Sequence, residues 1–320
     1  MKLYTFVRDG QERIGAGRGE GMLVDLHAAH AHPAFASMRA LIEAGPDALA
    51  AARGALETAS GDAQVRIADV RILAPLPRPT KIRGFSVFEK HLVQATDGAA
   101  RTMAAGESDP EAAYSEKRRQ FNLDSLPGVG WRQTPAYYYS DCTTVIGQDE
   151  TVSWPSYSEW IDYELEILAV IGRGGKDIPV EQAHEHIFGY TMMNDLSARD
   201  AQFMAMSTGL GFAKGKDFDG SNPLGPCIVT ADEIPDPYAL ALRTRINGEQ
   251  WSHVQGITPQ WSFVDCIAYA SQSQTLHPAE LFSTGCTPDG CSMELMRSVK
   301  RGDTVEIEAE GIGVLRTRIA

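Results

Sequence analysis

The chain has 320 residues, of which 43 % are hydrophobic and 22 % charged, and its formal net charge is -13. Such a composition suits a soluble globular protein with ample core, folded as one large domain or two smaller ones. The acidic balance speaks against a broad nucleic-acid or anionic-membrane surface, since both need clustered positive charge; a small anionic substrate needs only a few local cations.

Five cysteines stand at 142, 227, 266, 286 and 291. The number is odd and no CxxC pair occurs, so reduced thiols in a cytoplasmic protein are expected rather than a disulfide framework or a zinc site. The opening "MKLYTFVRDG" reads as a strand and turn, not a signal peptide. No apolar run reaches the length of a membrane span.

In chain order, "KLYTFVRDGQERIGAG" alternates and turns like a hairpin, and "SMRALIEAGPDALAAARGAL" carries helix formers broken near Gly45-Pro46. These belong to a small N-terminal α+β domain over 1–75, followed by a second domain over 76–320. Residues 95–132 are rich in Ala, Gly, charge and Pro, with an N-capped helix from about Ser108. The stretch reads equally as a lid or as a surface insertion. From 137 onward, strands are predicted at 137–139, 161–171, 187–194, 226–230, 240–246, 304–308 and 314–319. Helices are predicted at 180–187, 197–207 and 260–270. The two kinds do not alternate regularly, which predicts an α+β, mostly β fold with peripheral helices rather than a TIM barrel or doubly wound sheet.

Several common site motifs are missing. "GAGRGEG" fails GxGxxG because position 20 is Glu, and there is no P-loop, no GxSxG elbow and no HExxH. His27, His30 and His32 could hold a metal, but a solvated loop is preferred there.

"IDYELEIL" at 161–168 places acids at every second position of an apolar run. On a strand, Glu164 and Glu166 point to the same side while Tyr163, Leu165 and Ile167 pack on the other. Two adjacent carboxylates at a buried edge repel and lose solvation, and a divalent cation removes both penalties. An edge strand with its acidic face in water fits the same pattern. Further on, "GYTMMNDLSARDAQFMAM" reads as a strand turning into a helix with Asn194 or Asp195 as N-cap. Asp195, Arg199, Gln202 and Met206 would share one face of that helix, which is also what an ordinary capped amphipathic helix would show. "FAKGKDFDGSNPLGP" sets two lysines in a Gly-rich loop, and Glu294 ends the loop "STGCTPDGCSMEL". His91 follows a strand-like run in "GFSVFEKHLVQA", where a lone His is usually structural.

The order of "DYELEILAVIG", "GYTMMNDLSARDAQ", "KDFDGSNPLGP" and "GCTPDGCSMELMRSVKRGDTVEIEAEGIGVL" resembles the fumarylacetoacetate hydrolase family over about residues 80–320. The resemblance implies that family's mixed β-sandwich or β-roll for the C-terminal domain. It implies metal ligands at Glu164, Glu166 and Asp195, a hard oxygen set suited to Mg²⁺ or Mn²⁺, with Ca²⁺ a further candidate. It implies a C–C bond hydrolase acting on a 1,3-dicarbonyl or acylpyruvate-type 2-oxo acid. Decarboxylation, isomerisation or hydration of an unsaturated 2-oxo acid is the alternative. By motif position His91 is the general base, Glu294 its helper, and Lys216 the holder of developing negative charge. Arg199, Gln202, Tyr139 and Thr287 are the corresponding substrate-binding candidates. The resemblance further implies a homodimer.

The chain also departs from the family. The additional metal aspartate of the fumarylacetoacetate-cleaving branch falls at Gly84, so three protein ligands are expected. Gln94 replaces a Glu that the acylpyruvate-cleaving branch places three residues after its His. Cys286 replaces a frequent Thr, and "YYYSDC" stands where other members carry lysine and prolines.

Overall fold

The computed structural model describes every residue except Glu20. A large sheet forms the spine of the molecule. Its centre is the strand Leu165–Ile171, which pairs antiparallel with Ile187–Asn194 on one side and with Glu280–Ser283 on the other. All seven residues of this strand are buried. Alternation explains how a run apolar on both faces is accommodated. Ile167, Ala169 and Ile171 enter one hydrophobic core, while Leu168 and Val170 enter another.

Outward from Glu280–Ser283 the sheet continues through a parallel neighbour, Lys81–Phe85, to an antiparallel strand, Tyr137–Ser140. Arg83 and Glu280 form a fully buried ion pair between those neighbours. In the other direction Ile187–Asn194 pairs with Asn222–Thr230, which in turn pairs with Lys2–Arg8. The N-terminal hairpin, Lys2–Arg8 with Gln11–Gly19, thus extends the same sheet. A second, five-stranded sheet is made mainly of Ala241–Ile246, Glu249–Gln255, Thr304–Ala309 and Gly313–Ile319. Its inward residues Leu242, Val305, Ile307 and Leu315 share a core with Ile167 and Ala169 of the large sheet. The fold is therefore α+β and mostly β, with helices at its periphery.

Three local expectations change. The predicted continuous strand 161–171 is broken at Tyr163–Glu164. Ile161–Asp162 pairs instead with Ser197–Ala198, and Glu164 forms a lone bridge to Cys291. That same pairing holds 197–198 extended, so the helix begins at Arg199 and Asp195 is not its N-cap. The stretch 95–132 is also more regular than its composition suggests. Helix Glu89–Ala104 runs into it, and helix Pro110–Gln120 follows, capped by Asp109 rather than Ser108. Helix 89–104 lies hard against the 291–295 segment: a Cβ at Gly98 would fall 2.1 Å from the Met293 carbonyl oxygen. This close approach, with Ala95 and Ala99 packed on Cys286, Cys291 and Met293, fixes the helix that carries His91. Among the described residues no helix is long and apolar enough to cross a membrane.

Candidate active site

Glu164, Glu166 and Asp195 are each buried, and one carboxylate oxygen from each lies within 4.8 Å of the others. Backbone bonds set this arrangement. The Asp195 N–H donates to the Glu164 carbonyl at 3.0 Å, and the Glu164 N–H donates to the Asn194 side-chain oxygen at 3.1 Å. Asn194 therefore ties the broken strand to its neighbour, a role its sequence position did not reveal. The Ser283 hydroxyl, projecting from the adjacent strand, donates to Glu166 Oε2.

Two buried cations meet the acids. Lys216 Nζ lies 2.6 Å from Glu164 Oε2 and 2.7 Å from Asp195 Oδ2. Arg199 Nη1 lies 2.8 Å from Glu164 Oε1. Burial alone would raise the Glu164 pKa, but Lys216 and Arg199 overcome it and bring the group down to about 2. Glu166 goes the other way, pushed well up by burial and by the neighbouring charges of Asp195 and Glu164. Burial likewise raises Asp195, with Lys216 opposing and Glu164 assisting. Lys216 loses by burial but is raised overall by Asp195 and Glu164, so it stays an ammonium and is no base. Arg199 also pairs with Asp162, so four acids share two cations and negative charge is left without a partner. Asp195 Oδ1 is correspondingly buried with no hydrogen-bond partner. A hard divalent ion fits this donor set on both counts.

Across the same small cavity, of about 140 Å³, lies His91. Its Nδ1 is 3.3 Å from Glu294 Oε1, an ion-pair distance, and neither atom has a hydrogen-bond partner. The partner of His91 is thus a glutamate of the C-terminal loop, while position 94 holds Gln. Burial acts to lower the His91 pKa, but Glu294 and Cys291 outweigh it and hold the ring well above its usual range.

The remaining candidates divide. Arg199 and Gln202 line the cavity on one helix face, with Gln202 Oε1 accepting from Arg199 Nη1 at 3.0 Å. Tyr139 does not reach the cavity. It is 55 % exposed and lies by Lys81 and Arg83. Strand alternation turns its neighbour Tyr138 inward instead, and the Tyr138 hydroxyl donates to Asp195 Oδ2. Tyr138 has room because position 84, directly opposite, is Gly: a Cβ there would sit 2.4 Å from the Tyr138 ring. Thr287 is also withdrawn, buried with its hydroxyl donating to the Leu165 carbonyl at 3.0 Å. It anchors the C-terminal loop to the strand that bears Glu166. Phe85, Leu92, Phe203, Phe212 and Met293 supply apolar walls.

Asp162, the third acid of the row, faces away from the cluster. Its Oδ2 receives Arg199 Nε at 3.0 Å and Nη2 at 2.6 Å, and its Oδ1 accepts from the Ser292 N–H at 2.9 Å. It positions Arg199 and the 292–293 turn from a fully buried site. Breaking a buried ion pair from one side costs about 3–5 kcal/mol. Asp162→Ala is therefore expected to lower unfolding free energy on that scale in urea titrations. Its loss of turnover should be smaller than that of Glu164→Ala, and unchanged stability would contradict the anchoring role.

Comparison with known proteins places this geometry. The model of the fumarylacetoacetate (FAA) hydrolase C-terminal domain matches residues 111–320. The chain belongs to the fumarylacetoacetate hydrolase family. Among relatives of this family, mitochondrial oxaloacetate tautomerase fahd2 of Xenopus laevis is 30 % identical over 282 residues, 87 % of this chain and 76 % of that protein. Human oxaloacetate tautomerase FAHD2A is 36 % identical over 189 residues, and the aligned part spans 58 % of this chain and 59 % of the relative. A solved fumarylacetoacetate hydrolase from Exiguobacterium antarcticum superimposes with a TM-score of 0.73 at 26 % identity, covering 100 % of this chain and 99 % of that one.

Proposed function

We propose that this member of the fumarylacetoacetate hydrolase family is a divalent-metal-dependent enzyme that enolises a small 2-oxo acid and cleaves a C–C bond of an acylpyruvate-type substrate by hydrolysis. The observation that carries this reading is the pairing of two sites across one cavity. The Glu164–Glu166–Asp195 cluster stands on one side and the His91–Glu294 pair on the other.

Glu164, Glu166 and Asp195 would hold Mg²⁺ or Mn²⁺. When bound, such an ion acts as a Lewis acid that polarises the substrate oxygens. Lys216 and Arg199 add positive charge, which favours an anionic acid over a neutral ketone. His91 takes a proton, from water in hydrolysis or from the carbon beside the carbonyl in enolisation. Glu294 orients the ring through Nδ1 and stabilises the imidazolium that forms. Apolar side chains flank this exchange. The cavity volume, below the usual ~300–1,000 Å³ of drug-sized pockets, favours a short substrate.

Tautomerisation of a 2-oxo dicarboxylate is the second reading. It is favoured by the tautomerase relative aligned over 87 % of the chain, and it needs the same base but no water attack. Acylpyruvates and oxaloacetate, offered with Mn²⁺ and followed by mass and by enol absorbance, separate the two. Two acid fragments support hydrolysis. Keto–enol exchange without fragments supports the tautomerase. Neither product, with metal bound, sinks both.

A further inference from the structure

A second set of donors meets in the wall of this cavity. His91, Cys286, Cys291 and Glu294 each offer one ligand atom, and all four atoms lie within 4.8 Å of one another. Their chemistry differs from that of the carboxylate cluster. One imidazole, two sulfurs and one carboxylate match the tetrahedral preference of zinc, with Zn–S near ~2.3 Å and Zn–N near ~2.0–2.1 Å. Magnesium and manganese prefer all-oxygen sets, so the two clusters would sort ions by softness.

Independent observations point to a ligand here. The Glu294 side chain is 0 % exposed and its Oε1 has no hydrogen-bond partner, as is also true of His91 Nδ1. Glu294 Oε2 is held by the Cys291 N–H at 3.3 Å and approached by Cys291 Sγ at 3.4 Å, so the carboxylate is already aimed among the sulfurs. His91 and Cys286 line the cavity, which gives an ion a way in. The packing of Gly98 on Met293 keeps the two halves of the set, helix and loop, in contact.

We propose that His91, Cys286, Cys291 and Glu294 form a site for Zn²⁺ or a similar thiophilic divalent ion, distinct from the three-carboxylate cluster. Binding is coordination without redox change. Each thiol gives its proton to solvent, as does the imidazolium of His91, and the ion takes two thiolates, a neutral imidazole and a carboxylate. Occupancy removes His91 and Glu294 from proton transfer, so such an ion inhibits. That last consequence rests on the function proposed above; the binding itself does not.

Co²⁺ and Zn²⁺ are the probes, added to the whole chain under saturating Mg²⁺. One equivalent of Co²⁺ is expected to give a thiolate charge-transfer band and tetrahedral d–d bands that Zn²⁺ abolishes. X-ray absorption of the Zn²⁺ form should show sulfur scatterers near ~2.3 Å. In Cys286→Ala/Cys291→Ala the bands should vanish and Zn²⁺ affinity fall at least ~100-fold, beyond what loss of an outer-shell contact causes. Glu166→Gln should keep the bands. Oxygen and nitrogen scatterers alone, or bands that survive the double substitution, would overturn the site. Should the double variant not fold by circular dichroism, the X-ray absorption of the unaltered chain decides. Thiolate binding without inhibition would keep the site and defeat His91 as the base.

Discussion

Glu164→Ala is expected to abolish turnover, with a loss of at least about a thousandfold. A Lewis-acid contribution is worth several kcal/mol, and about 4 kcal/mol corresponds to about a thousandfold in rate. The substitution acts twice. It removes one of three clustered carboxylates, and it takes from Lys216 and Arg199 their shared acceptor at 2.6 and 2.8 Å. Cation titration by calorimetry should show Mn²⁺ affinity lost alongside turnover. Stability at neutral pH should fall too, by about 3–5 kcal/mol, since two buried cations lose a partner. The pH dependence has a definite sign. Because the Glu164 pKa is depressed to about 2, its stabilisation is present above the ordinary carboxylate range and is lost as pH falls from about 4.5 toward that value. Glu164→Ala should lack that acid-side loss. Full activity of the variant in the presence of chelator would refute the metal role.

His91→Ala is expected to lower kcat by about 10²–10⁴-fold, the usual range for a positioned acid–base group, while Mn²⁺ affinity stays nearly unchanged. Loss of the cation instead would mean that His91 serves the cluster and not the proton. Glu294→Gln gives the sharper test. The His91 ring is held above its ordinary pKa against burial, which pulls downward, chiefly by Glu294. A base works when deprotonated, so kcat/KM of the unaltered chain should rise along a limb centred above about 6.5. Glu294→Gln removes the main upward influence. The limb should then move to lower pH while its plateau drops. The stability contribution runs with the raised pKa: it is present below about 6.5 and lost as pH rises through the folded value. A limb that stays in place would show that Glu294 does not act on His91.

Much of this architecture was legible in the residues. The apolar run after Glu166 announced the central strand, and 187–194 was bounded as the structure has it. What the sequence concealed was pairing. Nothing in "IDYELEIL" says that Ile161–Asp162 leaves the strand for Ser197–Ala198. That partner lies more than thirty residues on and competes with helix propensity there. The Tyr138/Tyr139 choice failed for a related reason. Three consecutive tyrosines carry no alternation, and only the register with Gly84 shows which ring faces in. The sequence offered Asn194 only as an N-cap and gave Ser283 no role, because an amide and a hydroxyl have no signature until a backbone or carboxylate is placed beside them. Thr287 was placed on the right loop, but its hydroxyl is taken by a backbone carbonyl.

The ammonium of Lys216, set between Glu164 and Asp195, means that the protein carries its own counter-ion. Zinc fingers lose their fold to chelators because their metal-binding free energy is their folding free energy. Here two buried side-chain cations, Lys216 and Arg199, already sit against the acids, so the scaffold would outlast a bound metal. Chelator-treated protein should keep its circular dichroism spectrum and regain turnover when Mn²⁺ returns. The resident metal would then be an exchangeable reagent rather than a structural rivet, and cellular ion supply could set how much of the protein is active at any moment.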